Sequence, residues 1–233
     1  MPNYCTFCCK DTDNFSKIFV FQMKIYMKRS NSSKRWLEEH FDDIYVKKAQ
    51  AEGKRSRAIY KLQEIDLKEN LFKPGMSIVD LGSAPGGWTQ YVAEKLDGQK
   101  ANIIALDILK MEPISGANFI QGDFTSDSVL EKLMNIIPEH SIDVLLSDMA
   151  PNMSGNKEVD ILKAMYLAEI TLDFGQNMLK PGGILLMKIF HGAGFDDLVK
   201  QIRGQFKRVV IRKPKASRPR SRETYLLAVG YKL

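Results

Sequence analysis

The sequence predicts a single α/β domain with a doubly wound, mostly parallel sheet and an antiparallel pair of strands at one edge. The first observation is an apolar run at 78–81, a turn of small residues at 82–87, and a helical apolar pattern from Trp88 onward. The second is that short apolar runs alternate with helical patterns downstream. The third is that the chain closes with two consecutive strands, which favours antiparallel pairing at an edge.

The other elements follow in order along the chain. Two helices are predicted before the first strand, at 36–50 and 56–65, because apolar residues recur there at helical spacing. After the glycine turn, further strands are predicted at 102–107, 118–121, 142–147, 184–190, 208–213 and 223–231, and further helices at 126–137, 157–179 and 194–206. The segment 180–183, Lys-Pro-Gly-Gly, is predicted to end the helix before it.

Composition and charge indicate a globular domain that faces nucleic acid. The 233 residues are 44% hydrophobic and 27% charged, which is ordinary for a folded domain with a core. The net charge of +6 is unevenly placed, because residues 203–222 hold nine Lys or Arg and no Asp or Glu, while the remainder has 25 basic and 28 acidic residues. Such a basic stripe favours a polyanionic partner. A second basic cluster at 54–61 is either a solvated helix face or a further contact to phosphates.

The first 26 residues do not share the pattern of the rest. They hold all three cysteines, Cys5, Cys8 and Cys9, without the further ligands that a zinc site needs, so no metal is expected. The absence of later cysteines fits a domain without disulfides in a reducing cytoplasm. The apolar segment 15–26 is too short and too interrupted for a membrane span or a signal peptide. We expect residues 1–26 to be an atypical extension outside the fold, and 27–233 to be the folded domain.

The turn Asp80-Leu-Gly-Ser-Ala-Pro-Gly-Gly-Trp88 is predicted to bind a ligand. Its spacing is not that of a dinucleotide fold, because G-x-G-x-x-G would need a glycine at position 84, which is Ala. Asp80 in the strand and Asp107 at the end of the next strand favour a ligand with hydroxyls and a cationic centre. Asp107 lies 25 residues beyond Gly82, about where a carboxylate accepts the ribose hydroxyls of a nucleoside.

Two further aspartates follow predicted strands. Asp148 directly follows the strand at 142–147, so it is predicted to lie in the same crevice as Gly82 and Asp107. Asp123 follows the strand at 118–121 and is predicted to lie near the adenine of the ligand. The alternative for Asp123 is a turn or a helix cap.

Lys188 is the candidate general base. It interrupts an apolar strand, where a lysine is costly to bury unless it is paired; the alternative is a lysine whose ammonium reaches solvent at the sheet edge. A lysine acts as a base only if burial or a second cation favours its neutral form. Lys61 is a candidate for that cation, and Asp148 and Glu223 are candidates to hold the two lysines.

Five motifs in order resemble the FtsJ (RlmE-type) ribosomal RNA 2′-O-methyltransferases over about 28–233. They are Ser56-Arg-Ala-Ile-Tyr-Lys61-Leu, the Gly86-Gly-Trp88 loop, Ser147-Asp148-Met-Ala-Pro-Asn-Met-Ser-Gly155, Met187-Lys188-Ile-Phe and Ser221-Arg-Glu223-Thr-Tyr. The resemblance implies a Rossmann-like fold that binds S-adenosyl-L-methionine (SAM). It also implies a catalytic tetrad of Lys61, Asp148, Lys188 and Glu223, with Lys188 as the base, and cofactor contacts from Gly86, Trp88, Asp107, Asp123 and Asp148.

The same resemblance implies a substrate and a setting. The substrate is a uridine 2′-hydroxyl in large-subunit ribosomal RNA within an assembled subunit, and the enzyme is a monomer that needs no membrane. Two alternatives stay open at this point. One is a 2′-O-methyltransferase that acts on transfer RNA or on an mRNA cap, which would share the tetrad. The other is a non-catalytic RNA-binding factor in ribosome assembly, which would keep the basic stripe.

Overall fold

A computed structural model describes residues 43–97, 99–218 and 220–233. Residues 44–233 form one compact unit, which is the unit considered below. The expected extension at 1–26 and the start of the helix predicted at 36–50 lie outside the described residues. Within the described residues, no helix has the length and apolar character needed to cross a membrane.

A single seven-stranded sheet organises the fold, in the order β3-β2-β1-β4-β5-β7-β6. The strands are β1 (Ser77–Leu81), β2 (Asn102–Asp107), β3 (Ala117–Gln121), β4 (Ile142–Ser147), β5 (Leu179–Phe190), β6 (Phe206–Arg212) and β7 (Glu223–Tyr231). The first five pair in parallel, and β7 is antiparallel to both β5 and β6. The predicted α/β class and antiparallel edge pair are therefore confirmed, with β7 as the inner member of that pair.

Six helices are described. They are α1 (Ile44–Ala51), α2 (Ile59–Glu69), α3 (Gly87–Lys95), α4 (Asp127–Ile136), α5 (Lys157–Met178) and α6 (Phe195–Gln205). The helix predicted at 56–65 is observed at Ile59–Glu69, so it begins and ends later than predicted. It continues past Ile65 through mostly polar residues and ends where Asn70 takes a left-handed conformation with a φ of 50°.

The prediction that 180–183 is a helix-ending turn was wrong in one respect, because these residues belong to β5. The strand begins at Leu179, directly after α5, and Leu179 pairs with Ile142 of β4. The pairing register shifts between Ile142 and Val144. The early part of β5 is thus an irregular extension, which an apolar-run criterion misses because Pro and Gly interrupt the run.

Helices cover both faces of the sheet, as a doubly wound fold requires. On one face, α4, α5 and α6 bury Leu133, Leu172 and Ile202 against the sheet. On the other face, α2 and α3 bury side chains that include Leu62 and Trp88. The carboxyl ends of β1, β2, β4 and β5 therefore lie in a row along one edge of the sheet, the carboxyl edge, and antiparallel β7 begins at this carboxyl edge.

Candidate active site

The glycine turn after β1 is packed so closely that side chains are excluded at two positions. Gly82 has a φ of +75°, and a Cβ there would lie 2.7 Å from Cγ of Met149. Gly86 has a φ of +108°, and a Cβ there would lie 2.9 Å from Sδ of Met111. Only glycine adopts these conformations without strain and fits the space. The turn therefore brings bare backbone to the carboxyl edge of the sheet, where α3 begins at Gly87.

Asp107 fixes the turn through its carboxylate. Its Oδ2 accepts a hydrogen bond from the backbone N–H of Ala84 at 2.8 Å, and its Oδ1 accepts one from the N–H of Leu109 at 2.8 Å. A carboxylate offers about four acceptor positions. Asp107 can therefore hold the turn and still accept hydroxyl donors from a ligand.

Two other residues predicted for the cofactor, Trp88 and Asp123, are placed differently. The indole of Trp88 is 2% exposed, donates from Nε1 to the carbonyl of Ala58 at 2.9 Å, and packs against Tyr225. It is a core side chain, so only its backbone is available to a ligand. Asp123 is exposed, and its Oδ1 accepts from both the N–H and the hydroxyl of Thr125, at 2.9 and 2.7 Å. These bonds lower the pKa of Asp123. They are the bonds of an aspartate that stabilises a turn, which was the alternative interpretation of this residue.

Buried polar atoms around the turn lack partners within the described part of the chain. They are Oδ1 of Asp80 and Oγ of Ser83. Burial, followed by the like charges of Asp148 and Asp107, raises the pKa of Asp80 to about 7 despite a hydrogen bond from Thr89. Leaving a buried acceptor unpaired costs about 1–3 kcal/mol. The turn thus fits a ligand that brings donors and positive charge, as SAM would.

The predicted tetrad is assembled as two ion pairs. Nζ of Lys188 lies 2.7 Å from Oδ1 of Asp148 and donates to its backbone carbonyl at 2.8 Å. Nζ of Lys61 lies 2.7 Å from Oε1 of Glu223. The four side chains are between 8% and 16% exposed. Lys188 is therefore a paired, largely buried lysine and not one that extends its ammonium into solvent.

The fold explains why these distant residues meet. Asp148 follows β4, and Lys188 lies on β5, which is paired with β4. Glu223 begins β7 opposite Phe190, the last residue of β5. Lys61 reaches the same edge from α2, the helix that packs over this part of the sheet.

The charges of the lysines keep both carboxylates ionised. Burial alone would raise the pKa of Asp148, but the charges of Lys188 and Lys61 outweigh it and the pKa is lowered. The pKa of Glu223 is likewise lowered, because Lys61 and then Lys188 outweigh its burial. Both acids are therefore anions at neutral pH, and each is the counter-ion of one lysine.

Tyr225 joins the two ion pairs and was not singled out from the sequence. Its hydroxyl accepts from Nζ of Lys61 at 3.1 Å and donates to Oδ1 of Asp148 at 2.8 Å. Burial, then the charge of Asp148, raises its pKa well above the usual value, so it stays protonated. The available signal was strand alternation, because Tyr225 lies two residues after Glu223 and therefore on the same face of β7.

We expect Tyr225→Phe to lower the rate of methyl transfer roughly tenfold, because a hydrogen bond to a charged group is worth about 1.5–3 kcal/mol and only part of it need act in the transition state. Without the donor from Tyr225, the full charge of Asp148 acts on the ammonium of Lys188 and favours it. The acid limb of the pH–rate profile, where Lys188 must lose its proton, should therefore move to higher pH. Tyr231→Phe is the matched control, since that hydroxyl on the same strand donates to the carbonyl of Gln176. An unchanged acid limb in Tyr225→Phe would remove Tyr225 from this positioning role.

The cations of the basic cluster at 54–61 bind acidic side chains and backbone carbonyls of the protein itself. Lys54 pairs with Glu94 at 2.5 Å, and Arg55 donates to the carbonyls of Glu112 and Pro113, each at 2.6 Å. Arg57 donates to the carbonyl of Ala216, and Lys61 belongs to the tetrad. These cations tie the start of α2 to the walls of the crevice, so the cluster is neither a simple solvated face nor a free set of phosphate contacts.

The basic stripe at 203–222 divides into two parts. Arg208 and Arg212 of β6 both pair with Glu69 at the end of α2, at 2.6 and 2.5 Å, which anchors the edge strand. The other part is the loop before β7. There Arg222 is exposed and directly precedes Glu223 of the tetrad.

Known proteins are similar to this chain in sequence and in structure. The chain is 65% identical over 207 residues to the ribosomal RNA large subunit methyltransferase E of Legionella pneumophila (strain Corby), a match that covers 89% of this chain and all of the relative. It is 55% identical over 206 residues to the protein of the same name from Hydrogenovibrio crunogenus, covering 88% of this chain and all of that relative.

A solved structure is also similar. It is a Plasmodium falciparum protein described as a ribosomal RNA methyltransferase, with a TM-score of 0.69 and 34% identity, and the match covers 76% of this chain and 98% of that one. The family model described as FtsJ-like methyltransferase matches residues 54–231, a range that contains the glycine turn and all four tetrad residues. The chain therefore belongs to the FtsJ-like methyltransferase family.

Proposed function

We propose that this protein transfers a methyl group from SAM to the ribose 2′-hydroxyl of a uridine in large-subunit ribosomal RNA. The observation that carries the proposal is the tetrad, in which two buried lysine–carboxylate pairs joined by Tyr225 adjoin the glycine turn at one sheet edge. The 55–65% identity to proteins named ribosomal RNA large subunit methyltransferase E supports this substrate class. We further infer that the protein acts as a monomer in the cytoplasm, on an assembled large subunit.

The residues of the tetrad have separate tasks in this proposal. A ribose hydroxyl is a weak acid, so its attack on a methyl group benefits from a base and from tight positioning. Lys188 gives up its own proton to solvent and then takes the hydroxyl proton from the ribose. Asp148 orients the amine and balances the charge of the ammonium that re-forms. The Lys61–Glu223 pair, on the other side of the Tyr225 hydroxyl, orients the ribose.

The cofactor residues proposed are Gly86, Trp88, Asp107, Asp123 and Asp148, with Trp88 contributing only its backbone. When bound, SAM supplies an electrophilic methyl group on a positively charged sulfur. Asp107 is suited to the ribose hydroxyls, because both of its oxygens are already oriented by backbone amides. The closely packed glycines exclude side chains that would otherwise occupy the crevice.

The loop before β7 is proposed to contact the RNA backbone. We expect the triple replacement Arg218, Arg220 and Arg222 to Ala to weaken RNA binding and to flatten its salt dependence, because each phosphate contact contributes roughly 0.7–0.9 to the log–log salt slope. The affinity for SAM should barely change. The measurement is the dissociation constant for RNA at several salt concentrations.

A matched control replaces three cations at the opposite sheet edge. Lys73 precedes β1, Lys100 precedes β2 and Lys232 follows antiparallel β7, and all three are exposed. Their replacement by Ala should leave the salt slope unchanged. Equal slopes for both triple variants would place the RNA elsewhere on the surface.

The substrate class is tested by comparing acceptors. Labelled SAM is incubated with the protein and, separately, with large ribosomal subunits that lack this methylation, with protein-free ribosomal RNA, and with transfer RNA. We expect transfer to the large subunit. Label found only on transfer RNA would favour a 2′-O-methyltransferase that acts on transfer RNA. RNA binding without transfer to any acceptor would favour a non-catalytic assembly factor.

A further inference from the structure

Asp80 is a buried carboxyl group beneath the glycine turn that the proposed tetrad does not use. Its side chain is 1% exposed, and its Oδ2 accepts a hydrogen bond from the hydroxyl of Thr89 at 2.6 Å. Its Oδ1 has no partner among the described residues. The residues that flank it in the sheet are Ala105 on β2 and Leu146 on β4, so neither neighbouring strand supplies an opposite charge there.

The charged groups that act on Asp80 are the carboxylates of Asp148 and Asp107, and the Thr89 hydroxyl on α3 is its hydrogen-bond donor. Asp148 is already neutralised by Lys188, and both oxygens of Asp107 are held by backbone amides. Among these three carboxyl groups, Asp80 is the one that keeps a buried oxygen without a partner among the described residues. Burial raises its pKa to about 7, so the cost of ionising it is small near neutral pH.

The methyl donor and its demethylated product differ in charge. SAM carries a positive sulfonium, whereas S-adenosylhomocysteine carries a neutral thioether and is otherwise the same molecule. A nearby positive charge favours the ionised form of a carboxyl group, and a neutral group in a buried site does not. The protonation of Asp80 should therefore depend on which of the two molecules is bound.

We propose that Asp80 distinguishes the methyl donor from its product, as a carboxylate beside the positive sulfur and as a carboxylic acid beside the neutral one. The proposal rests on the proposed use of SAM. Its proton balance is simple: binding of the donor releases one proton from Asp80 to solvent, and Asp80 takes one proton back after the sulfur has lost its methyl group. Release of the product is thereby favoured over release of the donor.

The test measures the affinities of the cofactor-free protein for SAM and for S-adenosylhomocysteine by calorimetry between pH 6 and pH 8. The ratio of the two affinities should rise in favour of SAM by about tenfold, because a single linked proton changes affinity tenfold per pH unit below the pKa and not above it. The amino group of the ligand also contributes to this ratio, because the sulfonium lowers the pKa of the amino group in SAM alone, and the Asp80→Asn variant measures that contribution. A ratio that does not change with pH would overturn the proposal.

Two variants and one wild-type measurement sharpen the test. Asp80→Asn should abolish the rise of the ratio in favour of SAM, and Thr89→Val should move that rise to higher pH, because Asp80 then loses a stabilising donor. If the variants do not fold, wild-type titrations at pH 6.5 in phosphate and in imidazole still decide, since SAM should release roughly three-quarters of a proton more than its product does. Equal proton release would contradict the role of Asp80. Failure of SAM to bind at all would instead contradict the proposed function itself.

Discussion

Replacing Lys188 by methionine should abolish methyl transfer while the protein still binds SAM. Methionine keeps most of the volume of the side chain but cannot accept a proton, and loss of a general base typically costs about 10²–10⁴-fold in rate. Asp148 keeps the hydrogen bond from Tyr225 in this variant, so the cofactor side of the crevice stays ordered. The measurements are single-turnover transfer to large ribosomal subunits and calorimetric binding of SAM.

Lys180→Met is the matched control for this experiment. Lys180 is also on β5 and also pairs with an aspartate, Asp143 of β4, but it lies at the opposite end of the strands. The control variant should keep the wild-type rate. A Lys188→Met protein that retained more than about a tenth of the rate would have lost no general base, given the size of that effect.

Replacing Asp148 by alanine should damage the rate, the binding of SAM and the stability of the fold together. The carboxylate holds Lys188 and accepts from Tyr225, so its loss leaves a largely buried ammonium without its counter-ion. Breaking a buried pair in this way costs about 3–5 kcal/mol. We expect a lower melting temperature, a rate reduced at least about 10²-fold, and a dissociation constant for SAM raised by about tenfold or more, as loss of a base-orienting group and a charged contact implies.

Asp143→Ala separates stability from chemistry. Asp143 accepts from the N–H of Ser77 at 2.9 Å and pairs with Lys180, so its replacement also breaks a carboxylate network on β4, at the other sheet edge. That variant should lose some stability and keep both SAM affinity and rate in its folded fraction. The same outcome for Asp148→Ala would reduce Asp148 to a structural residue.

Much of the fold could be predicted because most strands inside the sheet are buried on both faces. Continuous apolar runs define such strands, and the bounds predicted for β2, β4 and β7 coincide with those observed. The approximate position of the site could also be predicted from the sequence, since residues at the carboxyl ends of parallel strands meet at one edge of the sheet. That rule placed Asp107 and Asp148 beside the glycine turn.

The partners of individual side chains could not be predicted. Arg55 donates to carbonyls 57 and 58 residues away, and Arg57 donates to one 159 residues away. Their role depends on how α2 lies against loops distant in sequence, whereas the local pattern shows only a run of cations. The hydrogen bonds of Tyr225 to Lys61 and Asp148 could not be predicted for the same reason. A tyrosine in an apolar strand is predicted to be a core residue, and its sequence position does not show what its hydroxyl contacts.

The position of the transferred methyl group shows directly whether the tetrad acts on a ribose 2′-hydroxyl. Large ribosomal subunits that lack this methylation are incubated with the protein and labelled SAM, the RNA is digested to nucleosides, and the labelled nucleoside is identified by mass spectrometry. We expect the label on the ribose oxygen of uridine, as 2′-O-methyluridine. Label on a base carbon or nitrogen would contradict this expectation, since the tetrad would then not be acting on a 2′-hydroxyl.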